Sequence, residues 1–220
     1  MDPPNPRRTT SEGRVQRDER LLRDGRPSVH AEILSDATLS IGVQPAPVAG
    51  SVAAARRLGI EISRRRSGGT GVLTLPGDIV WTLVLPRSDP RWGRDFLHAY
   101  DRWGAPVVEL LEGRGRPAHW GPPPGQSTSL CPLGSRGEVL WSEGRVVGAA
   151  AQHLSAGALL HHGILFWTPR TELAEALWPE DAPAIRRFLG AVGPNEPIAS
   201  AERWAVALQT ILEGWLERRS

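Results

Sequence analysis

The spacing of apolar and polar residues changes several times along this chain, and each change marks an element. Residues 15–23 place Val15, Leu21 and Leu22 among charges and predict an opening helix. Residues 28–34 alternate weakly. Residues 38–43 are rich in β-formers and end at Gln44 before a proline turn, so both segments predict strands. Residues 48–58 repeat Ala, Val and Arg at helical spacing and stop at Gly59. A short strand over 60–63 follows, then a hairpin of residues 71–75 and 79–85 around Pro76-Gly77. Residues 92–111 carry Phe96, Leu97, Tyr100, Trp103, Val107, Val108 and Leu111 at helical spacing, with an expected interruption at Gly104-Ala105-Pro106. Residues 114–129 read as a Pro/Gly-rich loop. Residues 138–141 and 145–151 predict a second hairpin around Glu143-Gly144, and 158–167 a further strand. Residues 172–177, 183–189 and 199–218 are helical by pattern, and no internal repeat is present. Many short strands mixed with helices predict an α+β fold on a largely antiparallel sheet. Residues 1–13 read as a disordered tail, leaving one domain over residues 14–220.

Composition narrows the picture. A chain of 220 residues with 40% hydrophobic content suits one sizeable core. No apolar run reaches the roughly 20 residues needed to span a bilayer. The polar, Arg-rich start has no apolar core and does not read as a secretory signal, so a cytoplasmic protein is expected. One cysteine excludes an internal disulfide framework. All 26 basic residues are arginine, so lysine chemistry is not available to this chain. A net charge of +2 gives little support to nucleic-acid binding. The nine tryptophans are dispersed, as core packing requires, rather than clustered for base stacking.

Candidate chemistry concentrates in Arg64-Arg65-Arg66-Ser67-Gly68-Gly69-Thr70-Gly71. Glycines let backbone N–H groups approach a ligand, and arginines carry a permanent charge, so the stretch suits an anion or an activated acyl group. It lacks the Gly-Lys-Ser/Thr ending of a phosphate-binding Walker loop. Gly113-Arg114-Gly115-Arg116 reads as a coincidence of composition. His161-His162-Gly163 lies in a predicted strand, where neighbours diverge, so at most one histidine faces a given site. No Cys or His stands at metal-ligand spacing, and no metal is expected. Cys131, after the Pro-rich loop, is either a nucleophile or a small buried apolar group.

Several motifs in order carry a resemblance. They are Asp18-Glu19-Arg20-Leu21-Leu22, then Pro27 with Leu39-Ser40-Ile41-Gly42-Val43-Gln44. Arg65-Arg66-Ser67-Gly68-Gly69 with Val72, Gly77 and Asp78 follows. Gly144-Arg145 with Ala151-Gln152, and His161-His162-Gly163-Ile164-Leu165, complete the set. Over residues 14–190 the chain resembles the biotin/lipoate protein ligase catalytic domain, within it the cysteine-dependent octanoyltransferases. The resemblance implies a class II biotin/lipoate ligase-like fold, a large mostly antiparallel sheet flanked by helices. It also implies movement of an octanoyl or lipoyl group onto a lysine of a lipoyl domain or of a glycine-cleavage H-type protein. An acyl carrier would be the donor in the transferases, and an acyl-adenylate the intermediate in the ligases. No membrane partner is expected.

The resemblance places the nucleophile at Cys131 and a substrate site at Arg65, Arg66, Ser67, Gly68, Gly69, Thr70, Thr74, Val146, Ala149, Gln152, His162 and Gly163. Four of these positions depart from the family pattern. The family lysine becomes Val146, a glycine becomes Thr70, a histidine becomes Thr74 and another glycine becomes Ala149. An aliphatic side chain cannot polarise a carbonyl, and loss of one such donor can cost ~10²–10³ in rate. Arg145, next to Val146, should point to the opposite face. Two readings follow: an acyltransferase working through a Cys131 thioester, or a catalytically inactive homologue that binds an acyl group or lipoyl domain. ATP-dependent ligation is disfavoured, because arginines alone would have to hold the phosphate charge.

Overall fold

A computed structural model describes residues 7–43, 49–92, 96–125, 129–134 and 138–218. The chain starts with strand β1 (Arg8–Thr9) and helix α1 (Ser11–Asp24). Thr10 caps α1 by accepting the Gly13 N–H, and Gly25 ends it at φ 62°. Residues 7–13, expected in the tail, are therefore part of the fold.

Strands β2 (Ser28–Leu34) and β3 (Thr38–Ile41) precede helix α2 (Ala49–Arg57). Strands β4 (Glu61–Arg64), β5 (Gly71–Thr74) and β6 (Ile79–Pro86) come next. Helix α3 (Phe96–Glu112) leads to β7 (Ala118–Gly121) and the single turn α4 (Cys131–Gly134). Strands β8 (Val139–Ser142), β9 (Arg145–Leu154) and β10 (Ala158–Leu165) follow. Helices α5 (Thr171–Leu177), α6 (Ala182–Phe188) and α7 (Ile198–Glu217) close the chain.

Seven strands form one sheet in the order β1-β2-β6-β10-β9-β8-β7, and three form a second in the order β4-β3-β5. The large sheet is antiparallel except for the β1–β2 pair. This is the α+β architecture that the pattern predicts. The β8–β9 turn is tight, with Glu143 at φ 52° and Gly144 at φ 72°, as a two-residue hairpin requires.

Three expectations need correction. The hairpin around Pro76-Gly77 does not form: β5 pairs with β3 in the small sheet, while β6 pairs with β2 and β10 in the large one. Asp78 redirects the chain there. Its carboxylate accepts the Leu75 N–H at 2.8 Å and the Trp167 N–H at 2.9 Å, and Arg170 pairs with it at 2.6 Å. Helix α3 runs through Pro106 without a break. At Gly104 a Cβ would overlap the Trp120 ring, so that glycine serves packing. Within the Pro/Gly-rich segment, β7 adds an edge strand to the sheet. Gln44 lies outside the described residues.

The two faces of the large sheet are covered differently. Helices α3 and α7 bury one face around Trp81, Trp103, Trp167 and Trp204. The small sheet and α5 and α6 bury the other, around Leu39, Leu73, Phe166 and Trp178. Burial of apolar area on both faces supplies the main driving force for this sandwich. No helix among the described residues is long and apolar enough to cross a membrane.

Candidate functional site

A small, partly open cavity of about 30 Å³ lies between the two sheets. Its floor is β9 and β10, where Ala149, Ala150, Ala151 and Gly163 leave a hollow among bulkier neighbours. Val72 and Thr74 of β5 with Ser40 of β3 form the facing wall. Arg14, Arg65, Cys131 and His162 supply its polar and reactive groups.

Cys131 is buried at the first position of α4. The Arg65 guanidinium reaches it, with Nη2 3.9 Å from Sγ. Arg65 is itself buried. Burial holds its pKa below the ordinary value, and Cys131 opposes that shift. Its remaining donors hold backbone: Nη1 donates to the Ser40 carbonyl at 2.7 Å, and Nη2 to those of Gly68 at 2.9 Å and Thr70 at 3.3 Å. Arg65 thus ties the glycine loop to β3 as well as touching the sulfur.

The loop folds onto the end of β3. The Gly42 N–H donates to the Thr70 carbonyl at 2.9 Å, and the Val43 N–H to the Ser67 carbonyl at 3.1 Å. A Cβ at Gly42 would collide with the Gly69 and Gly68 carbonyl oxygens. Close approach in this loop is therefore backbone against backbone, and Gly68, Gly69 and Thr70 lie outside the cavity lining. Arg66 points outward and pairs with Glu19 at 2.8 Å.

A buried hydrogen-bond chain runs behind the cavity. Ser67 Oγ lies 2.6 Å from His162 Nε2, and His162 Nδ1 lies 2.9 Å from Asp18 Oδ2. Thr82 donates to the other Asp18 oxygen at 2.8 Å. Burial pushes the His162 pKa down to about 4, against the pull of Asp18. His162 is therefore neutral near pH 7. Asp18 is held below the carboxylate range: burial opposes this, but the His162 hydrogen bond and the nearby arginines win. His161 faces the other way, toward Tyr100 and Gln152, and burial lowers its pKa to about 3. Only His162 borders the cavity, as strand alternation requires.

The other expected positions divide. Thr74 lines the cavity and donates to the Thr38 carbonyl at 3.0 Å. Ala149 and Gly163 line it too, and at Gly163 a Cβ would overlap the Trp81 ring. Val146 packs in the core beside Leu189 rather than in the cavity lining. A register shift between Leu140 and Trp141 alters the alternation there. At Gly148 a Cβ would strike the Ile164 carbonyl oxygen, so the glycine that this strand pair requires stands one residue before Ala149. Gln152 sits on the opposite face with His161. Arg145 points away, donating to the Arg186 carbonyl at 2.7 Å.

Sequence reasoning missed Arg14. This residue of α1 is 5% exposed and lines the cavity. Its signal was the inward stripe of α1, Ser11, Arg14, Arg17, Asp18 and Leu22, which is mostly polar at helical spacing. The described residues contain no group of three His, Cys, Asp or Glu able to hold a metal ion.

A family model for the lipoyl protein ligase A/B catalytic domain matches residues 19–188. Among solved structures, a lipoate-protein ligase A bound with ATP is 17% identical, with a TM-score of 0.71, over 98% of this chain and 94% of that one. The bipartite lipoate protein ligase of an archaeal lipoylation system from Thermoplasma acidophilum, described with its E2 lipoyl domain, is also 17% identical. Its TM-score is 0.66 over 97% of this chain and 91% of that one. The LipL1 protein of P. falciparum, in complex with lipoate, is 12% identical with a TM-score of 0.60, over 88% of this chain and 48% of that one. At these identities the likeness is one of fold. No curated protein matches the chain. With three quarters of its length inside the family model and the same sheet architecture, the chain belongs to the lipoyl protein ligase A/B catalytic-domain family.

Proposed function

We propose that this protein moves an octanoyl or lipoyl group onto a lysine of a partner lipoyl-type domain through a thioester on Cys131. The observation that carries this reading is the Cys131 sulfur on the cavity wall with Arg65 Nη2 3.9 Å away. Arg65 brings a permanent positive charge to the reacting sulfur, a charge that Val146 does not bring. In the first step the sulfur bonds to the carbonyl carbon of a carrier thioester. The carrier's sulfur leaves with its electron pair and takes the thiol proton. In the second, the acceptor lysine's neutral amine attacks the Cys131 thioester, the C–S bond breaks, and the amine proton passes to the sulfur. No ATP enters either step. The lipoyl domain named with the Thermoplasma relative supports the acceptor class. A glycine-cleavage H-type protein would offer the same lysine.

Intact-mass measurement after mixing with an octanoyl carrier tests the proposal. One octanoyl adduct is expected, located on Cys131 and lost in Cys131→Ser. Absence of an adduct with both octanoyl and lipoyl donors overturns it.

One observation favours a second reading, a binding homologue without turnover. Arg65 already donates to three backbone carbonyls, and the lysine position is apolar core. That reading expects lipoyl-domain binding that survives Cys131→Ser and no transfer. Transfer abolished by the same substitution excludes it, while pyrophosphate release from ATP with octanoate or lipoate would argue for ligation instead.

A further inference from the structure

We propose that Arg14 is an anion-binding residue of the cavity, taking an anionic oxygen at the head of the acyl group. That oxygen is a carboxylate oxygen of a free acid, or the oxyanion formed when Cys131 adds to a thioester carbonyl. The proposal rests on the acyl-transfer reading of the cavity.

Arg14 is buried without a partner among the described residues. Arg14 is 5% exposed, its Nε is buried with no hydrogen-bond partner, and among the described residues its guanidinium makes no hydrogen bond or ion pair. An ion held out of water in this way is costly unless something neutralises it. The three carboxylates in its field, Asp18, Asp36 and Glu32, are committed elsewhere. Asp18 binds His162 and Thr82. Asp36 accepts the Ser11 N–H and the Thr38 hydroxyl. Glu32 pairs with Arg17.

Arg14 also stands beside the reactive groups of the cavity. It shares the cavity lining with Cys131, Arg65 and His162. Burial first, and the nearby Arg17 after it, hold Arg14 below its ordinary pKa, against the pull of Asp18, Asp36 and Glu32. Arg14 in turn adds to the depression of Arg65 and His162, after the larger effect of burial on each. An anion entering among these groups relieves that repulsion and accepts donors that have no other acceptor. The apolar floor of Ala149, Ala151 and Ile164 suits the chain that follows such a head group. Arg14 thus supplies from α1 the unengaged cation that Val146 does not supply from β9.

Calorimetric titration of the full chain with octanoate, octanamide and acetate tests this, repeated on Arg14→Leu and Arg14→Gln. Octanoate is expected to bind about tenfold or more tightly than its neutral amide, as a charge-assisted hydrogen bond would give, and acetate negligibly. Both variants should lose that preference, keep octanamide binding and show no marked fall in melting temperature. Equal affinity for octanoate and octanamide in the parent overturns the assignment to Arg14 while leaving the acyl cavity standing. Acetate binding as tight as octanoate and dependent on Arg14 keeps the anion site and overturns the acyl reading. Failure of all three probes overturns both. A marked fall in melting temperature of both variants also overturns the proposal, since it would reveal a structural role for Arg14.

Discussion

Arg170 and Arg14 are both buried arginines, and the fold treats them in opposite ways. Arg170 donates to both oxygens of Asp78 and to the Leu73 and Thr168 carbonyls, while its guanidinium stacks 4.0 Å from the Phe166 ring centre. It stands at the corner where the chain crosses from the small sheet to the large one. Arg14 stands in the cavity between the same sheets, and among the described residues it has no such acceptors. A charge whose every neighbour is internal belongs to the architecture. A charge with none points outward, to something the chain does not contain. Burial is the same for both, so burial alone separates nothing.

The comparison breaks most forcefully at Asp78. In Asp78→Ala the Arg170 guanidinium stays buried without its counter-ion, and the Leu75 and Trp167 N–H groups lose their acceptor. A loss of about 3–5 kcal/mol in unfolding free energy is expected, read by urea denaturation. A change under about 1 kcal/mol would mean that the corner is held by packing and not by the pair.

The adjacent histidines sharpen the same contrast through pH. Burial lowers the pKa of His161 to about 3 and of His162 to about 4, from 6.5. Between those values and 6.5 the unfolded chain binds protons that the folded chain refuses, so stability rises with pH across this window. The contribution is fully present above pH 6.5 and is lost as pH falls toward 4. From pH 6.5 to 5, each histidine should remove about 2 kcal/mol. His161→Leu should remove one histidine's share of that slope and leave transfer activity intact, since its ring lies on the helix-covered face. Unfolding curves at pH 7 and 5 measure the slope, and an unchanged slope in the variant would refute the assignment.

Ser67→Ala acts more gently. It removes the 2.6 Å contact with His162 Nε2 and should cost about 1–2 kcal/mol. The pKa of His162, followed by NMR, should move as its ring loses that partner. A stationary pKa would show that Asp18 alone fixes the ring.

The sequence revealed architecture more readily than site. Strand alternation, the glycine after α2 and the Glu143-Gly144 turn are local signals, and β2, β3, α2, β8, β9 and β10 follow them. Pro76-Gly77 misled because its local chemistry is that of a hairpin. Asp78, Trp167 and Arg170, distant in sequence, decide where the strands go. Cys131, Arg65 and His162 were legible as candidates from the family motifs, and the fold places all three on one cavity. Gly68, Gly69 and Thr70 read as a ligand cradle because glycine allows close approach, and their carbonyl oxygens pack against Gly42. Arg14 was hidden because the opening helix was legible only over residues 15–23, from Val15, Leu21 and Leu22. The helix turns its polar stripe inward and leaves Val15 only partly buried.

The smallest expected effect separates the two arginines most cleanly. Arg170→Leu strands Asp78 in the corner and should cost as much as Asp78→Ala, about 3–5 kcal/mol. Arg14→Leu removes an ion that nothing in the described chain pairs and puts apolar surface against the nearby β-sheet. Replacing an unpaired buried charge by a hydrophobe is neutral or favourable, so its unfolding free energy should shift by less than about 1 kcal/mol, or rise. Urea denaturation of the two variants side by side reads both numbers. Equal losses would make Arg14 a second Arg170, a part of the scaffold. A loss at Arg170 alone leaves Arg14 with no structural reason to be charged among the described residues, and its charge then serves the cavity beside Cys131.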